Sequence, residues 1–336
     1  MIYTIIFGFF ITAFLAIFRP TAKIEKFLVF VIGISMILFA GFREDSIDYI
    51  MYEIFYENYE EISVEPAFKF ISFVVTKLTS DSKYLFLIFA IFGVTLKLVG
   101  IRILSNFLLL SVVVYLSNFF LLHEMTQIRA GVASAFLLLT IKPIADRNFR
   151  KFIIFASLGF LFHYSAIIII PLWFISRKIN VKLLFISIFI GYIAYFLGLN
   201  FVRSIPIPGI QEKIEIYLKL QELDNEQINV FNYLYLLKIL IFYILLFNYK
   251  KFAEHNRFFP ILLNIYCLSL VSYTVFGQIP AFATRISEFF GVVEIILIPL
   301  LVYLFKPRIL GIFMVVLLAI VFLLINLFYV ELILDI

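Results

Sequence analysis

The sequence predicts an all-α, polytopic transmembrane helical bundle, and three observations predict it. Of 336 residues, 64% are hydrophobic and only 15% are charged, with a mean hydropathy of +1.10. A soluble domain is about half apolar and about a quarter charged, so this chain has too few polar residues to coat a globule. The apolar residues fall in unbroken runs near the ~20 residues that a helix needs to cross the bilayer core. They lack the polar–apolar alternation of a membrane β-barrel. The charges are also sorted, with basic residues on one set of loops and acidic residues on the other. The length holds roughly 10–12 helices, short or re-entrant ones included, in one integral membrane domain over residues 1–336.

Along the chain, full spans are expected near 2–18, 26–42, 84–103, 107–122, 129–145, 183–202, 230–247, 258–276, 288–305 and 309–330. The first run has no basic residue before it, and Arg19, Lys23 and Lys26 follow it. That order is expected of a retained helix with Met1 outside, not of a cleaved signal peptide. Residues 67–79 are short and carry Lys69 and Lys77, which suits an interfacial amphipathic helix. Residues 152–176 have basic flanks at both ends, Arg150 with Lys151 and Arg177 with Lys178. They are expected to enter and return as two half-helices with His163 near the turn, a backbone path tolerated only when protein or a water cavity surrounds it.

With those choices the 27 basic and 22 acidic residues sort by side. The inner side takes 17 bases and 3 acids, with Lys97, Arg102 and Lys142 counted as inner helix ends, and the outer side takes 9 bases and 18 acids. Lys238 and Glu294 remain mid-span. The outer loops 43–66 and 203–229 are the long ones, the second with an expected surface helix over Gln211–Leu223. Function concentrates on long loops held by a rigid scaffold, so the chemistry is expected to face outward.

The candidate residues follow from that sorting. Arg43, Asp45, Asp48 and Glu65 lie near the ends of the first acidic loop, at the membrane surface. Asp45 and Asp48 are three apart and would share a helical face. Gln127 and Arg129 open a span on the side where bases are scarce. Arg129 reads either as an ion-pair partner of Glu124 or as a clamp for phosphate, since guanidinium presents a planar fork to phosphate oxygens. Arg285, one turn from Glu288, has the same two readings. His163 sits in an apolar run; it is either a hydrogen-bonded structural residue or a functional group, because ionisable side chains in membranes are costly.

Several chemistries have no signature here. There is no zinc-spaced His/Cys/Asp set, no Walker loop, no dinucleotide glycine fingerprint and no nucleophile elbow. No metal or cofactor is expected. Cys267 is the single cysteine, so no internal disulfide can form. The net charge of +5 follows from topology and does not point to nucleic acid.

The order Arg43, Asp48-Tyr49, Tyr52, Glu65-Pro66-x-Phe68, then Gln127-Ile128-Arg129 with Ala133, then Leu161-Phe162-His163-x-Ser165-Ala166 resembles the EpsG-like branch of Wzy-type bacterial polysaccharide polymerases, the group that includes O-antigen and capsule polymerases. The resemblance covers roughly residues 30–175. The C-terminal half matches loosely, through Arg285, Phe289, Phe290 and Pro299, and Ala130 stands where the family often has Gln. The resemblance implies a GT-C-like arrangement in the bacterial inner membrane, with the active site facing outward. It implies transfer of a growing glycan from undecaprenyl diphosphate to a sugar hydroxyl of a second lipid-linked repeat unit. Partners would be those lipid-linked oligosaccharides, the bilayer and a chain-length regulator protein.

On that reading Arg129 and Arg285 hold the diphosphate and Arg43 adds a third cation. Asp48 is the leading base and His163 the next. Glu65 is a carboxylate for the acceptor, and Tyr49 and Tyr52 stack on sugar rings. Asp45 and Gln127 complete the substrate contacts. A neutralised lipid diphosphate leaves readily, so one base suffices where glycosidases normally pair two carboxylates. A flippase for the same lipids, a single-sugar transferase using polyprenyl-phosphate sugars, an acyltransferase and a structural subunit remain as alternatives.

Overall fold

Backbone polar groups in hydrocarbon must be satisfied within the segment, and the apolar runs accordingly become helices. The computed structural model describes residues 1–43, 46, 48–79, 81–198 and 228–333. The expected helix Gln211–Leu223 and most of the loop 203–229 therefore lie outside the described residues. Contacts divide the chain into two compact units. One is Met1–Phe174 with Glu294–Ile336, and the other is Ile175–Val293.

The first unit holds α1 (Ile2–Phe18), α2 (Ala22–Gly41), α3 (Tyr49–Glu57), α4 (Pro66–Leu78), α5 (Lys83–Leu104), α6 (Leu108–Ser117), a π-helical turn (Phe120–Thr126), α7 (Ile128–Asp146), α8 (Phe149–Phe162) and a 3-10 helix (Tyr164–Phe174). The second holds α9 (Val181–Phe196), α10 (Tyr233–Phe247), α11 (Tyr249–His255), α12 (Phe259–Val275) and α13 (Pro280–Gly291). The chain returns to the first unit with α14 (Glu294–Leu300), a 3-10 turn (Leu301–Leu304) and α15 (Arg308–Phe328). Among the described residues four helices, α2, α5, α7 and α15, are long and apolar enough to cross a membrane, and up to seven spans result if each bent pair counts as one. Several long apolar helices of this kind make a multi-pass membrane protein.

In the first unit α2 packs on α5, α5 on α7, and α7 on α8. In the second, α12 packs against α9, α10 and α13. Two expected spans are broken. The run 107–122 leaves the α-helix at Asn118 (φ −133°, ψ −77°) and turns by 63° into the π-helical segment. No proline or glycine causes this break. Asn118 is held sideways instead, donating to Glu294 Oε2 (3.3 Å) and accepting from Asn326 (3.1 Å). The run 288–305 is interrupted at Val292 and Val293.

Residues 149–174 form the expected hairpin of two half-helices. α8 has 14 residues, the 3-10 helix has 11, and His163 between them is extended (φ −155°, ψ 123°). At ~1.5 and ~2.0 Å per residue each leg is roughly 21–22 Å long. The far end closes where Arg147, just past α7, donates to the Trp173 carbonyl (2.8 Å). Gly159 packs closely against Phe136 of α7 and touches Ala166 of the other leg. A Cβ there would lie 3.3 Å from Phe136 Cβ and 3.5 Å from Ala166 Cβ.

The segment expected to be interfacial is α4, a separate helix of 13 residues, too short to cross. Pro66 opens it, at the position where a missing N–H costs nothing. Phe68, Ile71 and Val75 are buried, while Phe70, Phe73 and Leu78 are exposed. After α15 the chain returns to the first loop, where Ile333 forms an antiparallel bridge with Ser46. The ends of α2 and α15 are thereby tied together. Lys97 departs from the sidedness assignment. Counted as an inner helix end, it is instead fully buried and pairs with Glu124 at 2.5 Å.

Candidate functional site

The site is built where three chain segments meet in the first unit: the start of α4, the start of α7 and the turn between α8 and the 3-10 helix. Each contributes one polar side chain at a helix boundary. Glu65 is the residue before Pro66, Arg129 is the second residue of α7, and His163 is the break in the hairpin. Glu65 lies between the other two. Its Oε2 accepts from an Arg129 terminal nitrogen, and its Oε1 is 2.8 Å from His163 Nδ1.

Aromatic packing fixes this trio. Tyr52, Phe68, Phe86, Phe89, Phe136 and Phe162 belong to one buried cluster that joins α3, α4, α5, α7 and α8. The Arg129 guanidinium stands over three rings, Phe55 (5.2 Å), Tyr52 (5.4 Å) and Phe68 (5.7 Å). A weakly hydrated, planar cation is suited to such a box. Its Nε has no hydrogen-bond partner among the described residues. The Glu65 side chain is 4% exposed, whereas those of Arg129 and His163 are 16% and 19% exposed, so the cation and the imidazole are the more accessible members of the trio.

Burial alone would raise the Glu65 pKa. The hydrogen bond from His163 and the charges of Arg129 and His163 outweigh it and bring the carboxyl down to about 2. Glu65 is therefore ionised and accepts only, which makes His163 Nδ1 the donor of their bond. In the neutral imidazole Nε2 is then the nitrogen without a hydrogen. Tyr52 has its phenol pKa raised, first by burial, with the Arg129 charge acting against the rise.

Other sequence candidates lie differently. Tyr49 and Tyr52 were expected to stack on sugars, but their faces are covered. Tyr49 stacks on Phe86 (4.7 Å, 12°), and Tyr52 packs among Phe55, Phe68 and Phe86. Arg43 was expected as a surface cation. It is buried, donating to the carbonyls of Ala40 and Met125 (2.5 Å each) with its guanidinium 5.0 Å from the Phe86 ring. Those contacts make it a tie between α2 and the π-helical turn.

Asp48 is the residue before α3, and its charge acts on both Arg43 and Tyr52. Asp45 lies outside the described residues. Gln127 is the half-buried residue between the π-helical turn and α7. Arg285 is an exposed residue of α13 in the second unit. The Arg129–Glu124 pair, one of the two readings of Arg129, does not form; Arg129 pairs with Glu65, and Lys97 with Glu124. Lys97 was counted as an inner helix end and not as a partner of Glu124. Its signal was a lysine well inside the 22-residue α5, one turn after Gly93.

A model of the EpsG family matches residues 26–334. The chain is similar to the amylovoran biosynthesis protein AmsC of Erwinia amylovora, 24% identical over 326 residues, which cover 85% of this chain and 81% of that one. No solved structure matches it. A match over nearly the whole length, together with the motif residues gathered in one place, identifies the chain as a member of the EpsG family.

Proposed function

We propose that this protein is a membrane glycosyltransferase that polymerises lipid-linked oligosaccharide repeat units at the outer face of the bacterial inner membrane. The growing glycan moves from undecaprenyl diphosphate to a sugar hydroxyl of a second lipid-linked unit. Family membership and the similarity to a polysaccharide biosynthesis protein support the class of activity. The observation that carries the chemistry is the Glu65 bridge between Arg129 and His163.

In the proposed step the acceptor oxygen attacks the anomeric carbon as the bond from that carbon to the diphosphate breaks. The electron pair of the broken bond leaves with the diphosphate, whose charge Arg129 receives. The hydroxyl proton passes to His163 Nε2, and Glu65 on Nδ1 stabilises the imidazolium. General-base assistance of this kind contributes ~10²–10⁴-fold, and preorganised charge at the leaving group contributes a comparable factor. Here His163 takes the base role first expected of Asp48, because it has an ionised partner to hold its tautomer.

Product length tests the proposal. Purified protein given defined lipid-diphosphate repeat units should yield a ladder of lengthening chains. A product with one added sugar favours a single-sugar transferase. Translocation in proteoliposomes without chain growth favours a flippase.

A further inference from the structure

The first unit contains a second buried charge cluster that the proposed chemistry does not use. Lys97 and Glu124 are fully buried, and Lys97 Nζ donates to Glu124 Oε1 at 2.5 Å and to the Gly131 carbonyl at 2.8 Å. Such a pair is expensive to bury and is a weak source of stability in itself. Its placement gives it another use. Glu124 is in the π-helical turn and Gly131 is in the first turn of α7, so one ammonium group grips the chain on both sides of the break at Gln127. Arg129 lies between those two grips.

The surrounding residues reinforce the geometry. A Cβ on Gly93 would come within 2.8 Å of Glu124 Oε1, so a side chain at that point of α5 would displace the carboxylate. A Cβ on Gly131 would lie 3.1 Å from both the Cβ and the carbonyl oxygen of His123. His123 Nδ1 is 3.1 Å from Ser134 Oγ, which itself donates to the Gly131 carbonyl at 2.9 Å. Arg43 Nε holds the Met125 carbonyl from the other side. The π-helical turn is thus folded back onto α7 and locked there. π-Helical turns inside helices are often found at functional sites.

We infer that Lys97 and Glu124 are positioning residues that fix the start of α7, so that the Arg129 guanidinium is presented at the angle required by the donor diphosphate. The inference rests on the proposed role of Arg129. It requires both bonds of Lys97, the ion pair and the bond to the Gly131 carbonyl.

Two double variants separate positioning from plain structural support. Lys97→Met with Glu124→Leu removes both charges without stranding either. Lys97→Glu with Glu124→Lys restores an ion pair but leaves no donor at position 97 for the Gly131 carbonyl. Each is purified in lipid nanodiscs, as is Glu124→Gln in case a double variant does not fold. Thermal midpoint, donor and acceptor KM, and amide exchange over residues 120–131 are then measured.

The expected result is a wild-type thermal midpoint, a donor KM at least tenfold higher, an unchanged acceptor KM and at least tenfold faster exchange over 120–131. Wild-type donor KM and exchange in folded variants would overturn the inference, as would a full return of both on reversing the charges. The exchange measurement needs no turnover. If the wild type makes no polymer, the functional reading falls, and the exchange result still decides whether Lys97 and Glu124 fix this turn.

Discussion

His163 Nδ1 lies 2.8 Å from Glu65 Oε1, although 98 positions separate the two residues in the chain. The carboxylate holds the ring in the tautomer that leaves Nε2 able to accept a proton, so the two should act as a unit. His163→Ala should slow polymerisation by ~10²–10⁴-fold, and Glu65→Gln should cause a comparable loss. Residues acting as a unit are strongly non-additive. The variant carrying both changes should therefore be little slower than His163→Ala alone, measured as initial rates of purified protein. Losses that multiply would separate the two roles.

The same pair predicts a pH dependence of stability. The folded-state pKa of Glu65 is about 2, below its ordinary value of 4.5. Its contribution is present above pH 4.5 and is lost as the pH falls from there through the folded value. The size is ~3 kcal/mol by linkage. Glu65→Gln lacks this titration, so thermal midpoints of wild type and variant should converge as the pH drops below 4.5. A gap that stays constant over that range would contradict the assignment.

Arg129 needs its shape as well as its charge. Arg129→Ala should lower the rate by ~10²–10³-fold, the usual effect of removing a donor that stabilises developing charge. Arg129→Lys keeps the charge but loses the planar fork and its fit among Phe55, Tyr52 and Phe68. It should recover only a small part of the rate. Full activity in the Lys variant would show that a point charge suffices.

Tyr52 discriminates between a structural and a sugar-stacking ring. It is 4% exposed and packs against three phenylalanines. Tyr52→Ala should cost ~3–5 kcal/mol, as removal of a large buried side chain does. A surface platform for sugars would instead leave the thermal midpoint unchanged and raise only KM.

Much of the helical plan was legible because hydrophobic run length and charge sorting are one-dimensional signals. The hairpin at His163 could be anticipated because Arg150 with Lys151 and Arg177 with Lys178 required both ends to face one way. The break at Asn118 could not, since it follows from bonds to Glu294 and Asn326, residues far off in sequence. The site was partly legible in the same sense. Arg129 was singled out as a base where bases are scarce, His163 as an ionisable group in an apolar run and Glu65 by its place at the end of the acidic loop, but their pairing is a tertiary fact. Arg43 and Lys97 misled for a related reason. The sidedness rule placed both at a membrane surface, and the two are buried among carbonyls, an aromatic ring and a carboxylate.

The central claim is that Glu65, Arg129 and His163 together extend a glycan on a lipid diphosphate. The most direct measurement is an in vitro reaction of purified protein with defined undecaprenyl-diphosphate repeat units, read as chain length on a gel. Wild-type protein should give a ladder and His163→Ala none, at equal protein and thermal midpoint. A ladder of the same length and rate from His163→Ala would contradict it.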